Sequence, residues 1–315
     1  MNETARDHPV GVIGVGNMGG AVAASMVRAG LDVIVYDVRP EAVERLVEAG
    51  ARSAGSIEEL MAEAPVVSLV VVNDQQVRDV GRTMLDTARP GTTILVHSTV
   101  RPSTVVELRD AASEKNVEVL DVAVNGGNEK ASRGLLTLMI GGDEDAALFC
   151  WPVFEAIGEH IFLVGPVGSG LVGKLVNNLI AIGSYALQLE AMQLAHAYGV
   201  SEDMITQVVA FSQGDNRGIR TWGRHDRKRR ERMAEGTVWY DRMGRDLYEA
   251  SIAAGLKEVP LPLTAIIAQS LPSKLRERDR FLDSLPPSDP IPRCKVCDQE
   301  LALAFRAEGT HPECR

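Results

Sequence analysis

The sequence predicts an α/β fold: an N-terminal domain with a parallel sheet, a long connecting helix, an all-α domain and a small tail. From residue 10 to residue 164, apolar β-branched runs alternate with helical patterns. This alternation is typical of parallel sheets that helices cover on both faces. After residue 165 the alternation stops, and residues 171–198 form a long helical pattern without proline. At 315 residues, the length fits two domains better than one.

The predicted strands lie near residues 10–15, 31–36, 66–72, 92–97, 117–124, 135–140 and 161–164. Helix signals agree with these strands. Ser56-Ile-Glu-Glu59 is a capping box, while Gly30 and Gly50 stand where helices need a left-handed C-terminal residue. Beyond the long helix, helical patterns cover residues 202–211, 241–254 and 263–271.

These patterns divide the chain into residues 1–165, 166–284 and 285–315. The third segment opens with the proline-rich stretch Leu285–Pro292, which cannot continue a helix and indicates a stiff linker.

Charge and composition narrow the function classes. A net charge of −10 repels polyanions, so we expect neither nucleic acid nor a membrane surface as a partner. The first eight residues are polar and lack the features of a signal peptide, and no uninterrupted apolar stretch reaches the length of a membrane span. Four cysteines are too few for a secreted disulfide scaffold. We therefore expect a soluble cytoplasmic protein.

A glycine-rich turn joins the first predicted strand to the first predicted helix. Its sequence is Gly14-Val15-Gly16-Asn17-Met18-Gly19. In this context Gly14 permits a tight turn, Gly16 leaves room for a pyrophosphate, and Gly19 allows close packing of helix on strand. The pattern predicts a dinucleotide site, against the alternative of a merely structural turn.

The end of the second predicted strand bears on which dinucleotide is bound. Asp37 follows Gly14 by a little over 20 residues, where its carboxylate can accept hydrogen bonds from ribose hydroxyls and would repel a 2′-phosphate. Arg39 is close enough to accommodate that phosphate. The charge argument favours NAD and leaves NADP open.

Several ordered motifs resemble the β-hydroxyacid dehydrogenase family, which includes 3-hydroxyisobutyrate dehydrogenases, tartronate semialdehyde reductases and, more distantly, 6-phosphogluconate dehydrogenase. Besides the glycine turn, the motifs are Ser98–Pro102, Asp121–Gly127, Gly165–Asn178 and Arg245-Asp246-Leu247. The resemblance covers about residues 9–270. It implies a Rossmann-type domain, a long interdomain helix, a helical second domain and assembly as dimers or tetramers.

The resemblance also assigns the chemistry. It implies that Lys174 is the general acid for carbonyl reduction and the base for alcohol oxidation, and that Asn178, four residues later on the same helix face, binds the substrate or the lysine. Taken alone, Lys174 is an ordinary solvated lysine. The implied reaction moves a hydride between nicotinamide and a small 3-hydroxy acid or its semialdehyde.

The Asn125-Gly126-Gly127 loop is expected to hold a substrate carboxylate through its backbone N–H groups. The family usually has serine at position 125. Asn125 offers an amide donor in place of a hydroxyl, which puts proton routing and pocket depth in doubt. The alternative for Asn125 is a turn residue that bonds its own backbone.

Other positions match or depart from the family pattern. Val72, Asn73 and Thr99 match positions on the nicotinamide side. Arg245 replaces the usual lysine near the cofactor, with a surface arginine as the alternative. His97 stands where an acidic residue is frequent, and we expect a packed, hydrogen-bonded histidine.

The tail carries a Cys-x2-Cys and a His-x2-Cys pair, formed by Cys294, Cys297, His311 and Cys314. Two such pairs can complete a closed Cys3His site for a structural Zn²⁺, whose binding would supply the folding energy of so small a module. The alternatives are a redox dithiol and an incidental cluster. This tail lies outside the resemblance.

Three functional hypotheses remain open at this point. The first is an NAD- or NADP-dependent dehydrogenase or semialdehyde reductase. The second is imine reduction on a related scaffold, which Lys174 and Asn178 disfavour. The third is a nucleotide-sensing interaction protein in which catalysis is vestigial and the zinc tail recruits a partner.

Overall fold

A computed structural model of the chain describes residues 4–223, 226–227, 230–231, 239–284 and 295. The chain divides into two compact units, Met1–Leu175 and Val176–Arg315. The long helix α9 (Ser169–Ala197) begins in the first unit and continues in the second.

The first unit is built on an eight-stranded sheet. Its strands are β1 (Val10–Ile13), β2 (Val33–Tyr36), β3 (Arg52–Ser53), β4 (Val66–Leu69), β5 (Thr93–Val96), β6 (Glu118–Asn125), β7 (Leu136–Gly141) and β8 (Gly158–Gly165). Their spatial order is β3-β2-β1-β4-β5-β6-β7-β8. The order reverses between β1 and β4, and in open α/β sheets such a point is where ligands bind. The glycine turn follows β1 at this point.

One strand pair corrects the prediction of a parallel sheet. All neighbouring strands are parallel except β6 and β7, which are antiparallel. The segment between these two strands, residues 126–135, is shorter than the dozen or more residues that a parallel crossover requires. The short strand β3 was also not predicted.

Helices cover both faces of this sheet. They are α1 (Asn17–Arg28), α2 (Pro40–Glu48), α3 (Ile57–Glu63), α4 (Asp74–Thr87), α5 (Pro102–Ser113), α6 (Gly127–Ala131), α7 (Glu144–Phe149) and α8 (Trp151–Ile157). Successive strand residues face opposite sides, so Val33 and Val35 belong to one core and Ile34 to the other.

The structure confirms the Ser56 cap and the two glycines at helix ends, but the return bond of the predicted capping box comes from Gly55 and not from Ser56. The Ser56 hydroxyl accepts the Glu59 N–H at 3.2 Å, and the Glu59 carboxylate accepts the Gly55 N–H at 2.7 Å. Gly30 and Gly50 have φ angles of 81° and 105°, the left-handed region that a helix end requires.

The second unit is helical where it is described. After α9 it contains α10 (Glu202–Ala210), α11 (Arg217–Arg220), α12 (Trp239–Gly255) and α13 (Pro262–Ser284). The sequence predicted that the last helix ends at residue 271, before Pro272, but α13 continues to Ser284. Leu271 and Leu275 are both buried in the core of this unit, and that burial holds the helix together on both sides of the proline.

Helix α9 bears on the prediction that no uninterrupted apolar stretch reaches the length of a membrane span. Among the described helices it alone is long and apolar enough to cross a membrane, by length and composition, and a third of its most apolar window is buried. The sequence argument required an unbroken apolar stretch, which Lys174 and Glu190 interrupt. Core helices of globular proteins pass the same test.

Candidate active site

The glycine turn lies at the carboxyl end of β1, and two of its glycines are required by close packing. Gly14 has a φ of 86°, and a Cβ atom there would lie 2.4 Å from the Val70 carbonyl oxygen. A Cβ atom on Gly19 would lie 1.9 Å from the Gly14 carbonyl oxygen. Since no side chain fits at either distance, both glycines fix the path of the backbone.

Gly16 has a different role because it faces open space. A Cβ atom there would meet only the end of the Arg39 side chain, at 3.1 Å. Gly16 directly precedes α1, whose first N–H groups have no acceptor within the helix. The positive end of the helix dipole and these donors suit an anion. The turn therefore fits a dinucleotide pyrophosphate, as the sequence predicts.

Asp37 lies where a cofactor ribose is expected, and its carboxylate is also hydrogen-bonded to the glycine turn. One carboxylate oxygen accepts the Val15 N–H at 2.8 Å, and the other accepts the backbone and side chain of Arg39 at 3.0 and 3.3 Å. Burial works to raise the pKa of Asp37, but its bonds to Arg39 and Val15 outweigh burial and lower the pKa. The carboxylate is thus ionised and tied to the turn.

The residues expected on the nicotinamide side follow β4 and β5. Asn73 caps α4 by accepting the Gln76 N–H at 2.9 Å, so its side chain already has a structural role. Val72 and Thr99 are exposed. Because β1, β4 and β5 are parallel neighbours, their carboxyl ends lie on the same side of the sheet. Val72, Asn73 and Thr99 therefore lie on the same side as the glycine turn.

His97 is a packed histidine, as expected. Its ring is buried, and Nε2 lies 3.0 Å from the Ser68 hydroxyl. Burial lowers the pKa of His97 to about 4, so the ring is neutral near pH 7.

Within the first unit, Lys174 contacts the loop that the sequence predicts to bind substrate. Its Nζ atom donates a long hydrogen bond of 3.4 Å to Oδ1 of Asn125. Asn125 ends β6, and Gly126 and Gly127 follow with φ angles of 137° and 73°, in the region that favours glycine. The structure therefore brings together two residues that lie 49 positions apart in the sequence.

The second unit places Asn178 beside Asp246. The Asn178 side-chain amide donates to the Asp246 carboxylate at 3.0 Å and accepts from Asn177 at 3.1 Å. Arg245 is exposed, while Leu247 is buried in the core of this unit. The motif residue that contacts Asn178 is Asp246, whose role the sequence analysis did not identify, while Arg245 stays a predicted cofactor contact. The signal was present, since Asp246 belongs to the same motif.

Sequence reasoning also missed a role for Asp121. This carboxylate is fully buried and accepts backbone N–H groups at the start of α9, from Gly168 at 2.6 Å and from Leu171 at 2.7 Å. The glycines around it were a usable signal, because a Cβ atom on Gly141 would lie 2.4 Å from its Oδ1 atom.

The four predicted zinc ligands, Cys294, Cys297, His311 and Cys314, lie outside the described residues. Within the described part of the chain, no group of three or more histidine, cysteine or acidic residues is arranged to hold a metal ion.

Comparison with known proteins agrees with this geometry. Residues 9–165 match the family described as the NAD-binding domain of 6-phosphogluconate dehydrogenase. Residues 168–283 match the family described as "NAD-binding of NADP-dependent 3-hydroxyisobutyrate dehydrogenase". The NAD-dependent L-serine dehydrogenase of Pseudomonas aeruginosa is 35% identical over 212 residues, 66% of this chain and 70% of that protein.

Solved structures share the fold. A 3-hydroxyisobutyrate dehydrogenase from Mycobacterium tuberculosis, solved with L-serine, has a TM-score of 0.76 at 24% identity and covers 96% of this chain and 98% of its own. An imine reductase from Pseudomonas sp. has a TM-score of 0.57 at 18% identity, covering 98% and 99%. At these identities the likeness concerns the fold alone.

Proposed function

The chain belongs to the β-hydroxyacid dehydrogenase family, and from this premise we propose that it oxidises a small 3-hydroxy acid, or reduces the corresponding semialdehyde, with Lys174 as general acid and base. The supporting observation is the contact between Lys174 and Asn125, which brings the candidate proton carrier to the loop proposed to bind substrate. L-serine and 3-hydroxyisobutyrate share a hydroxyl on the carbon β to a carboxylate, and that pair of groups defines the proposed substrate class.

Each polar group has a defined task in this proposal. The N–H groups of Gly126 and Gly127 hold the substrate carboxylate. Lys174 takes the hydroxyl proton during oxidation and returns it during reduction, while Asn125 orients the lysine. Asn178, fixed by Asp246, binds the substrate hydroxyl. The glycine turn and Asp37 would hold a nicotinamide cofactor, which when bound would supply the hydride acceptor for oxidation and the hydride donor for reduction at the hydroxyl-bearing carbon.

We propose NAD as the cofactor, with NADP as the alternative. The ionised Asp37 disfavours a 2′-phosphate, and its bond to Arg39 engages the guanidinium that would otherwise meet one. Kd values for both cofactors test this preference. Tighter binding of NADP than of NAD by the unaltered protein would contradict it.

The decisive experiment follows nicotinamide absorbance with L-serine and 3-hydroxyisobutyrate, using Lys174→Ala and Lys174→Arg variants. Both variants should lose about 10²- to 10⁴-fold in kcat, because alanine has no amine and arginine does not deprotonate. Their affinity for NAD should stay close to that of the unaltered protein.

Lys115→Ala is the matched control, since Lys115 is a partly exposed lysine that pairs with Asp86 at the surface. Full turnover by a folded Lys174→Ala protein would refute the mechanism. Failure of the unaltered protein to bind either cofactor or to turn over hydroxy acids and semialdehydes would refute the dehydrogenase. Cofactor binding without turnover would favour the nucleotide-sensing interaction protein, while turnover of imines alone would favour imine reduction.

For the tail, we propose that Cys294, Cys297, His311 and Cys314 bind one structural Zn²⁺, because their spacing provides two tight ligand pairs. Metal analysis of the purified chain should find about one zinc per chain, and Cys294→Ser should lose most of it. Cys150→Ala is the matched control, since Cys150 is buried among apolar side chains. Unchanged zinc in Cys294→Ser would exclude that residue as a ligand.

A further inference from the structure

Asp121 is a buried carboxylate to which the proposed reaction gives no task. It lies in β6, four residues before Asn125, and its side chain is fully buried. Side chains two and four positions apart on a strand share a face, so Asp121 and Asn125 project to the same side of the sheet.

The partners of Asp121 are backbone groups at the start of α9. Its two oxygens accept the N–H groups of Gly168 and Leu171, and a bond from Gly170 adds to them. The first N–H groups of a helix lack acceptors within the helix, and a local capping side chain usually supplies one. Gly168 directly precedes the helix and has no side chain. The cap therefore comes from a strand 47 positions earlier in the chain.

Glycines make room for this carboxylate. A Cβ atom on Gly170 would lie 2.9 Å from Oδ2 of Asp121 and 2.2 Å from the Met139 carbonyl oxygen. A Cβ atom on Gly141 would also collide with Asp121, at 2.4 Å. The close approach of the strand to the helix start is thus built into the sequence at several positions.

Lys174 lies about one turn beyond Leu171 on the same helix. Strand β6 consequently contacts this part of α9 twice, through Asp121 at the first turn and through Asn125 at the lysine. The first contact fixes the helix start, and the second receives the lysine side chain.

We propose that the ionised Asp121 is a positioning residue that fixes the first turn of α9 and thereby directs the Lys174 ammonium group to Asn125. This inference rests on the proposed role of Lys174 in catalysis. Asp121 itself touches neither substrate nor cofactor in the proposal.

The groups around Asp121 determine the pKa of its carboxylate. Burial raises the pKa of Asp121 to about 6, even though the backbone bonds oppose this rise. The neighbouring β5 ends beside His97, which is neutral above about pH 4. On β7 the register partner is Gly141, and on α9 the nearest charged residue in sequence is Lys174. On β6, Glu118 is exposed. The carboxylate therefore has only backbone partners within the described chain.

The test combines hydrogen exchange with kinetics on an Asp121→Asn variant of the full chain. Asparagine keeps the shape but replaces one acceptor oxygen with a donor, so protection of residues 166–175 from exchange should fall about tenfold or more. With L-serine and NAD, kcat should fall about 10- to 100-fold while the KM for NAD changes less than about twofold. Asp143→Asn is the matched control, because Asp143 is an exposed helix cap on α7. It should leave exchange and kcat unchanged.

The outcomes separate this inference from the proposed function. If the unaltered chain has no dehydrogenase activity but Asp121→Asn lowers the protection of residues 166–175, the positioning role of Asp121 is supported and the proposed function is refuted. Unchanged exchange, or unchanged kcat despite loosened exchange in an active enzyme, would overturn the inference. If Asp121→Asn does not fold, exchange of the unaltered chain on either side of pH 6 decides, after correction for intrinsic rates. Because the pKa of Asp121 is raised in the folded chain, an opening that frees its carboxylate costs less free energy as pH rises, so protection of residues 166–175 should weaken as pH rises through 6. Constant protection across that range would overturn the inference.

Discussion

Asp121 and His97 make opposite contributions to the pH dependence of stability. The pKa of Asp121 is raised from 3.8 to about 6 in the folded chain, so its contribution to stability is present below pH 3.8 and is lost as pH rises through 6. The pKa of His97 is lowered from 6.5 to about 4, so its contribution is present above pH 6.5 and is lost as pH falls through 4. Because burial causes both shifts, we expect the two trends to offset each other in the intact chain.

Replacing either residue should reveal the pH dependence of stability that the other residue causes. Between about pH 4 and 6, Asp121→Asn should make stability rise with pH, and His97→Gln should make it fall, by about 1.4 kcal/mol per pH unit in each case. Glutamine retains an amide near the Ser68 hydroxyl, which limits other damage. Urea unfolding across this pH range measures the slopes. Parallel curves for the two variants and the intact chain would contradict the assignment.

At the scale of the element, the glycine turn allows folding and cofactor binding to be separated. Gly19→Ala should lower stability severely, because its Cβ atom would overlap the Gly14 carbonyl oxygen. Gly16→Ala should fold normally, since only the flexible end of Arg39 must move, but it should weaken NAD binding by about tenfold or more because the methyl group occupies the pyrophosphate position.

Melting temperature and the Kd for NAD measure the two effects on the same samples. Gly244→Ala is the control, because Gly244 lies in a helix and an added Cβ atom there would meet no atom within 4 Å. Gly91 is unsuitable as a control because its φ of 87° would strain an alanine. Unchanged NAD affinity in Gly16→Ala would show that the pyrophosphate does not lie against this residue.

The elements that local patterns predicted are those whose residues repeat with a clear period. All seven predicted strands exist, because each contains an apolar run. The sheet buries most of these runs, whereas the run in β8 is largely exposed. The sequence did not predict strand β3, because its two residues, Arg52 and Ser53, are exposed and show no apolar pattern. The continuation of α13 past Pro272 depends on burial against other helices, which a single segment does not reveal.

The candidate site shows the same limit. The sequence identified Lys174 and Asn125 separately through motifs, but their contact depends on how β6 meets α9. Asp121 belongs to the Asp121–Gly127 motif, yet its partners are backbone N–H groups 47 and 50 positions away. Every residue type except proline has a backbone N–H group, so the sequence does not identify these partners directly, and only the surrounding glycines mark the close approach.

At the scale of the whole molecule, the second unit leaves part of α9 uncovered. Ile180, Leu187 and Leu194 are 65%, 66% and 63% exposed. Their spacing of seven residues places them along one side of the helix. Large exposed apolar side chains aligned along one side of a helix are typical of a protein–protein interface. We therefore predict that the chain assembles with a second copy of itself through this stripe of side chains, as a homodimer or within a homotetramer.

Ile180→Glu combined with Leu187→Glu should convert the assembly to monomers, because pairing the stripes would bury carboxylates without partners. Light scattering coupled to size-exclusion chromatography gives the mass directly, and circular dichroism verifies folding. The matched control is Val47→Glu with Leu148→Glu, two exposed apolar positions of the first unit, 44% and 53% exposed. This control should keep the mass of the unaltered chain. A monomeric unaltered chain, or an unchanged mass in the stripe variant, would exclude α9 as the interface.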